Sequence, residues 1–424
     1  MSKQLCSILF VMALIVFTSG RTSGQGLSGQ ISGRVDDTSG RSIVGCVVQL
    51  TNDLTNQVRE VQTDSTGAFV FVELLRGNYS LRVTQAGFRP HLERAIEVSA
   101  TERVALSPIK LQLGDVSSTV TVASDQARVQ TASSERAGLI SASQIENTPL
   151  RGRDYIGLLK LLPGVVDVVT RDAPGGAMAT VNGGLNGQVL ITIDGIVSQD
   201  SGSTVGTQYQ PSVDAIGEVK VLLTNYQAEY GARAGGMVNV VIKNGTQDFH
   251  GSVYYFKRNE ALNANNFFNN SGRLNLGADG KARRPVYRYD NFGYTVGGPL
   301  IIPGTRFNKN RDKLFFFWSQ DILKRRVVSA LQRVTFPTLL ERRGDFSQSV
   351  FGNNGQAVVV RDPTTQVPFP GAIVPTSRIN PAGQKLLSLF PLPNAVDSSG
   401  TRLFNALNQF ILDQPLTDKI LRVD

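Results

Sequence analysis

Between Ser28 and Leu113 short β-branched and aromatic runs alternate with turn clusters at close, even spacing: Ile31 to Val35, Val44 to Leu50, Gln57 to Thr63, Ala68 to Val72, Tyr79 to Thr84, Ala95 to Val98 and Val104 to Leu113. The clusters are Asp37-Thr38-Ser39-Gly40, Asp64-Ser65-Thr66-Gly67, Arg76-Gly77 and Ala86-Gly87. Strands that short cannot bury a core alone, so the pattern predicts two sheets packed as a small sandwich over residues 28–113. Side chains two apart in a strand share a face, which puts Phe69 with Phe71, and Tyr79 with Leu81 and Val83, in its core.

Composition removes several kinds of chemistry. Two cysteines and two histidines stand beside 42 glycines and 21 phenylalanines, and neither His91 nor His250 has a paired Glu at metal-ligand spacing. No metal, cofactor or catalytic residue is therefore assigned. The net charge of +9 is concentrated after residue 245, where 23 basic residues face 13 acidic ones. With neither a zinc finger nor a basic helix to carry it, this excess does not read as nucleic-acid binding.

At the N-terminus Lys3 precedes the 13-residue apolar run Leu5 to Phe17 and the small polar stretch Thr18 to Gly26. This is secretory signal grammar, too short for a spanning helix of roughly 20 residues. It predicts a signal peptide over residues 1–24, cleaved after Gly20 or Gly24. Cys6 would leave with it, so Cys46 would have no disulfide partner and stability would rest on β-pairing and burial.

Residues 114–125 read as a linker holding one short β-prone run, Asp115 to Val122. Extended backbone of this kind can add a strand to a partner's sheet edge. Residues 126–245 mix helix and strand. Asp154 can cap a short helix that runs to Leu162 before Pro163-Gly164. Val189 to Ile193, Asp194-Gly195 and Ile196-Val197 form a strand, hairpin turn and strand. The run Tyr230 to Lys243 is glycine-rich, yet it contains neither GxGxxG nor a P-loop, so its paired glycines read as bulges or close backbone approach.

After residue 245 the pattern changes. Phe292, Tyr294 and Val296 alternate with Asn291, Gly293, Thr295 and Gly297, as a strand with one lipid face and one lumen face requires. Lys313 to Asp321 is aromatic on both faces, and Trp318 suits an interfacial girdle. Asn-rich 263–270 and Pro-rich 361–394 read as outward loops. The arginines at 283, 284, 325, 326, 342 and 343 read as solvated loop residues.

Two resemblances cover most of the chain. Asp64 to Phe71, Gly77 to Val83 and Ala86-Gly87-Phe88 resemble the carboxypeptidase regulatory-like domain, a transthyretin-like β-sandwich with a structural or weak carbohydrate-binding role. Pro149 to Asp154, Leu162 to Val165, Asn182-Gly183, Ile193-Asp194-Gly195 and Tyr230 to Gly245 resemble the plug domain of TonB-dependent outer-membrane receptors. Further matches resemble the start of the barrel in the Oar-like branch: Phe249 to Ser252, Asn265 to Phe268, Asn291 to Pro299, Lys313 to Phe317, Gly344 to Phe346, Arg361 to Pro363, Pro368 to Gly371 and Arg378 to Pro381. The family's Gly-Arg-Ser-Gly-Gly string departs here to Gly231-Ala232-Arg233-Ala234-Gly235-Gly236.

The resemblance implies a mainly β chain: sandwich, mixed α/β plug over 126–245, and the first strands of a transmembrane β-barrel over 246–424. It implies an outer-membrane location among lipid, with sandwich and plug on the periplasmic side. The implied function is uptake of a scarce nutrient of the siderophore, cobalamin or saccharide class, without enzyme activity. The implied partners are an extracellular ligand and a TonB-type periplasmic energy transducer. The latter would contact Ser118, Thr119, Val120, Thr121 and Val122, with Arg151, Asn182, Gly183, Asp194, Gly195, Gly235 and Gly236 as structural marks of the plug. A secreted or surface carbohydrate-binding or adhesive protein using the sandwich is the alternative. Of the 179 residues after Gly245, loops at 258–287 and 329–416 leave 61. That is room for about four strands where outer-membrane transporters close with 22, so an incomplete receptor, unable to insert alone, is expected.

Overall fold

The computed structural model of the chain describes residues 28–114, 120–123, 133–169, 178–185, 187–199, 202, 207–231, 233–271, 279–302, 304–329, 332–351, 355–396 and 404–424. The expected signal peptide lies outside them. Two compact units are formed: Met1–Tyr254 with Gly293–Asp321 and Thr417–Asp424, and Tyr255–Phe292 with Ile322–Leu416.

The first unit begins with the sandwich: β1(Gly29–Asp37), β2(Val47–Asn52), β3(Val58–Gln62), β4(Ala68–Leu74), β5(Gly77–Thr84), β6(His91–Val98), β7(Arg103–Ala105), β8(Ile109–Leu111) and β9(Val120–Ala123). One sheet has the order β4-β1-β7, with β8 also pairing β1; the other runs β3-β2-β5-β6-β9. In β2 every second residue is buried, as a sheet with one core face and one wet face demands. Phe69 and Phe71 are buried edge-to-face at 6.1 Å, over a core that includes Ile31, Val48, Leu81 and Val83. Cys46 is buried there as a free thiol. Three strand limits differ from the sequence reading. Val44 is exposed and β2 starts at Val47; β6 begins at His91; and Val104 to Leu113 divides into β7 and β8, both parallel to β1. Pro108 breaks the run because its nitrogen carries no hydrogen for a ladder.

The plug follows: β10(Arg136–Ser141), α1(Ala142–Asn147), β11(Val165–Val169), β12(Met178–Val181), β13(Leu190–Ile193), β14(Ile196–Val197), β15(Ile216–Thr224) and β16(Met237–Ile242). Ser141 and Gln144 form a capping box that starts α1. The expected helix after Asp154 is a 3₁₀ helix, Tyr155–Leu161; the Asp154 carboxylate accepts from the Ile156 amide at 2.9 Å. The sheet order is β10-β15-β16-β13-β14. β15 was not anticipated; Glu218 and Lys220 alternate with Val219 and Val221 in it, yet both of its faces are buried.

The remaining main elements are β17(His250–Asn259), α2(Phe267–Ser271), β18(Tyr287–Pro299), β19(Phe315–Val328), β20(Gln332–Val334), β21(Val350–Phe351), β22(Gln356–Ala357), α3(Pro381–Ser388), β23(Ala406–Asn408) and β24(Ile411–Val423). β17, β18, β19 and β24 form one four-stranded sheet in that order. Along β18, Asn291 and Thr295 are buried while Phe292, Tyr294 and Val296 are exposed, the expected two-faced pattern. Trp318 lies on that outer face, its Nε1 donating to the Tyr294 hydroxyl at 3.2 Å. Arg325 and Arg326 correct the loop reading: both belong to β19, and Arg325 is buried and hydrogen-bonded to Gln414. Among the described residues no helix is long and apolar enough to cross a membrane, which has no bearing on crossing by strands.

Candidate functional site

Ser118 and Thr119 lie outside the described residues, whereas Val120, Thr121 and Val122 fall in β9. This strand is an edge of the sandwich, parallel to β6, with His91 opposite Val120, Leu92 opposite Thr121, Glu93 opposite Val122 and Arg94 opposite Ala123. Sequence reasoning placed a β-prone run here but not its partner. Parallel pairing of segments this far apart leaves no local turn signal.

Strand β6 leads from that ladder into the contact between sandwich and plug. Just beyond its end, the Ala100 amide donates to Glu218 Oε1 at 2.7 Å, and Lys220 Nζ donates to Thr101 Oγ1 at 3.0 Å. Lys220 also pairs with Glu135 at 2.9 Å, with both side chains almost fully buried. Lys220 thus joins the sandwich to the segment by which the chain enters the plug. Alongside, Arg76 Nη1 donates to the Gly217 carbonyl at 3.4 Å, and a β-carbon on Gly217 would stand 2.2 Å from Arg76 Nη2. Burial pushes the Glu218 carboxyl above the usual range, against the pull of the Ala100 amide and Arg76. Burial lowers Arg76, with Glu218 opposing. The sequence held one unused signal: Glu218 and Lys220, two apart in an apolar run, share one face of a strand.

The residues expected to mark the plug sit at turns and at close approaches of backbone. Asp194 and Gly195 have φ of 47° and 85°, the paired left-handed geometry of a type I′ turn. The Asp194 carboxylate accepts from the Ile242 amide at 3.1 Å, and Arg422 stands 3.4 Å from it. Burial raises Asp194, and Arg422 opposes. Asn182, at φ 50°, donates its amide to the Gly164 carbonyl at 2.7 Å and its Nδ2 to the Leu223 carbonyl at 3.1 Å, tying the Pro163-Gly164 turn to β15. Gly183 continues this turn at φ 74°. Gly235 packs on the Gln188 backbone and Gly236, at φ 93°, on the Leu222 carbonyl, where a β-carbon would come within 2.9 and 2.7 Å. Arg151 opens the turn Arg151–Arg153, at whose other end Arg153 pairs with Asp214.

The plug meets strands β17, β19 and β24 through polar groups. The Tyr209 hydroxyl donates to Asp418 Oδ2 at 2.8 Å. Tyr254 shares a hydrogen bond with Ser212 at 2.9 Å and donates to Asp321, while the Arg153 guanidinium lies 4.8 Å from the Tyr254 ring centre. Sequence reasoning had Arg153 and Asp321 only inside longer runs, as contacts of nothing, and did not name Tyr209, Ser212, Tyr254 or Asp418. Their pairing joins plug loops to strands far along the chain, which spacing in one sequence does not reveal.

Family models match the chain in three consecutive blocks: a carboxypeptidase regulatory-like domain at residues 30–112, a TonB-dependent receptor plug domain at 127–238, and an outer membrane β-barrel domain at 241–424. The TonB-dependent transporter Oar of Myxococcus xanthus is 25% identical over 310 residues, covering 68% of this chain and 26% of its own length. The chain thus spans about a quarter of the curated relative it matches. Among solved structures, the siderophore receptor PirA of Acinetobacter baumannii shares 21% identity over 45% of this chain and 24% of its own, with a TM-score of 0.32. The outer membrane transporter YddB of Escherichia coli shares 16% over 47% and 27%, with a TM-score of 0.35. Matched in succession by these three models, the sandwich, plug and barrel segment support a TonB-dependent receptor of the outer membrane.

Proposed function

We propose that the protein takes up a scarce nutrient of the siderophore, cobalamin or saccharide class, its plug displaced when a periplasmic TonB-type transducer captures the segment containing Val120 to Val122. The observation that supports this reading is the chemistry of the plug's contact with the membrane strands. Tyr209 on Asp418, and Ser212 with Tyr254 and Asp321, are hydrogen bonds between polar side chains. Such bonds exchange for bonds to water at a small net cost, about 1 kcal/mol each. A seam held this way can open and reclose, and the uptake reading requires no covalent chemistry.

The test uses full-length receptor in a Gram-negative host. Proline at Val120 removes a strand donor and fixes φ, so Val120→Pro should weaken capture and uptake together. Crosslinking of a cysteine placed at Thr119 to the purified C-terminal domain of TonB reads the capture. Equal crosslinking and uptake by variant and parent would sink the assignment. Growth on single siderophores, cobalamin or oligosaccharides then separates the nutrient classes.

A further inference from the structure

The plug sheet has two unlike faces. Val219 and Val221 of β15, Val238 and Val240 of β16 and Ile191 of β13 belong to one apolar cluster. Across the middle of the other face the ladder sets Lys220 beside Asn239, and Asn239 beside Thr192. Glu218 lies on that face as well, two residues before Lys220. All four are buried. Asn239 accepts from the Thr192 hydroxyl at 2.7 Å, yet its Nδ2 finds no acceptor among the described residues, and neither does the buried Nε of Arg76 beside Gly217. A face covered for good is cheaper to build from apolar side chains than from polar ones left half paired. Polar residues at alternate positions suit an antiparallel sheet whose second face meets water for part of the time.

The sandwich rests on this face and reaches past it. Ala100 and Thr101 sit on Glu218 and Lys220, and Arg103 Nη2 donates to Gln227 Oε1 at 2.8 Å. The β2–β3 turn extends to the start of the barrel segment, where the Leu54 carbonyl accepts from the Gln247 amide at 3.0 Å and the Asn56 side chain donates to that of Gln247. One domain therefore grips the plug and the barrel segment together. Thr101 holds a φ of 63°, a left-handed conformation that strains a β-branched residue, and its hydroxyl is the one that accepts from Lys220. We propose that the sandwich is an autoinhibitory latch: while docked it fixes the plug to the barrel segment, and the plug leaves only after the sandwich lifts and the stripe of Lys220, Asn239 and Thr192 becomes wet. Polar contacts of this kind exchange for water at a small net cost. The latch rests on these contacts; that it restrains transport rests on the uptake reading above.

The test reads the stripe directly in purified full-length receptor, with Cys46→Ala removing the free thiol of the sandwich. Asn239→Cys places a reporter on the stripe, and Val240→Cys places one on the opposite face of the same strand. The probe is a polar maleimide, and the rate of labelling is measured. A latch that lifts predicts that the first reporter reacts about tenfold or more faster than the second. Thr101→Val keeps the shape of the turn and removes the acceptor for Lys220, so it should speed the first reporter about tenfold again and leave the second unchanged. Arg76→Gln repeats this arm should Thr101→Val fail to fold. Equal rates at the two reporters, or a first reporter indifferent to both sandwich variants, would overturn the proposal. Transport supplies the second arm. Arg103→Cys and Gln227→Cys, at the exposed edge of the contact, are bridged by a short bifunctional maleimide. A latch predicts that bridging lowers uptake by about tenfold or more, while separate blocking of the two thiols does not. Undiminished uptake through the bridged receptor would mean that sandwich and plug travel together, and would overturn the proposal. Labelling as expected, with no uptake of any nutrient class by parent receptor, would sink the uptake reading and leave the latch standing.

Discussion

Strand β2 of the sandwich and strand β15 of the plug are both central and both antiparallel to their two neighbours, yet they bury their side chains differently. In β2 burial alternates, and the buried members are Val48, Leu50 and Asn52. In β15 eight successive residues are buried, Glu218 and Lys220 among them. A strand with one wet face can put its polar residues in water. One covered on both faces must pair them inside the protein or lose the full desolvation cost. The sandwich is therefore held mainly by apolar side chains, with buried Asn52 and Thr63 satisfied locally by the Leu54 and Cys46 amides. The plug is held in part by particular polar pairs, and it is those pairs that reach the neighbouring sandwich.

The sharpest way to break this comparison is at Lys220. Lys220→Met leaves the Glu135 carboxylate buried without its cation, a loss expected near 3–5 kcal/mol. Adding Glu135→Leu removes the stranded charge, so the double variant should recover most of that loss. Hydrogen exchange of β15 amides in full-length receptor measures both, with β2 amides as the internal reference. Failure of the second change to rescue the first would mean that Lys220 acts through Thr101 rather than through Glu135.

Glu218 comes next. Glu218→Ala strands the Ala100 amide and removes a carboxylate beside buried Arg76, which should cost about 1–3 kcal/mol at the sandwich contact. Glu218→Gln keeps an acceptor at the same place and should cost clearly less. The readout is exchange at Ala100 itself. Equal losses from the two variants would show that the charge, not the hydrogen bond, holds the contact.

The sandwich was legible because its signals are local: alternation, turn clusters and paired aromatics place β1 to β5 within a few residues. The type I′ turn at Asp194-Gly195 was legible for the same reason, since few residue pairs tolerate two successive positive φ values. The pairing of β9 with β6 was not, nor the meeting of Glu135, Lys220 and Thr101, because each joins segments that only the tertiary fold brings together. β15 was passed over although Glu218 and Lys220 alternate with Val219 and Val221: both of its faces are buried, so the alternation marks polar pairing inside the protein rather than a wet face. Arg325 and Arg326 misled because a pair of arginines suggests a loop, whereas the β19 position of Arg325 gives it a buried partner in Gln414.

The turn provides a local test of the same idea. Gly195→Val forces a β-branched side chain into a φ of 85°, at a cost of roughly 1–2 kcal/mol. Gly195→Asn should cost less, because Asn tolerates the left-handed region. Protease resistance of the fragment 126–245 ranks parent, Asn and Val variants. Equal resistance of parent and Val variant would show that the hairpin contributes nothing to holding the plug.

The smallest effect expected is on pH, and its sign separates the two sheets again. Burial holds Glu218 above the ordinary glutamate range, with the Ala100 amide, Arg76 and Lys220 acting against burial and Glu102 acting with it. A carboxyl whose folded pKa is raised keeps its proton in the native state where the unfolded chain has lost it. Its contribution is fully present below the unfolded pKa, near 4.3, and is lost as pH rises through the folded value. Lowering the pH from 7 toward 5 should therefore slow exchange at the Ala100 amide, once the intrinsic rate is corrected. Asp194 and Asp214 are also raised by burial and push in the same direction, so Glu218→Gln is needed to isolate this group. In that variant the pH dependence at Ala100 should flatten, while amides of β2, far from any raised carboxyl in the ladder, should show none in either protein. Protection at Ala100 that grows with rising pH would mean that the charged carboxylate, paired with Arg76 and Lys220, is the form that holds sandwich to plug.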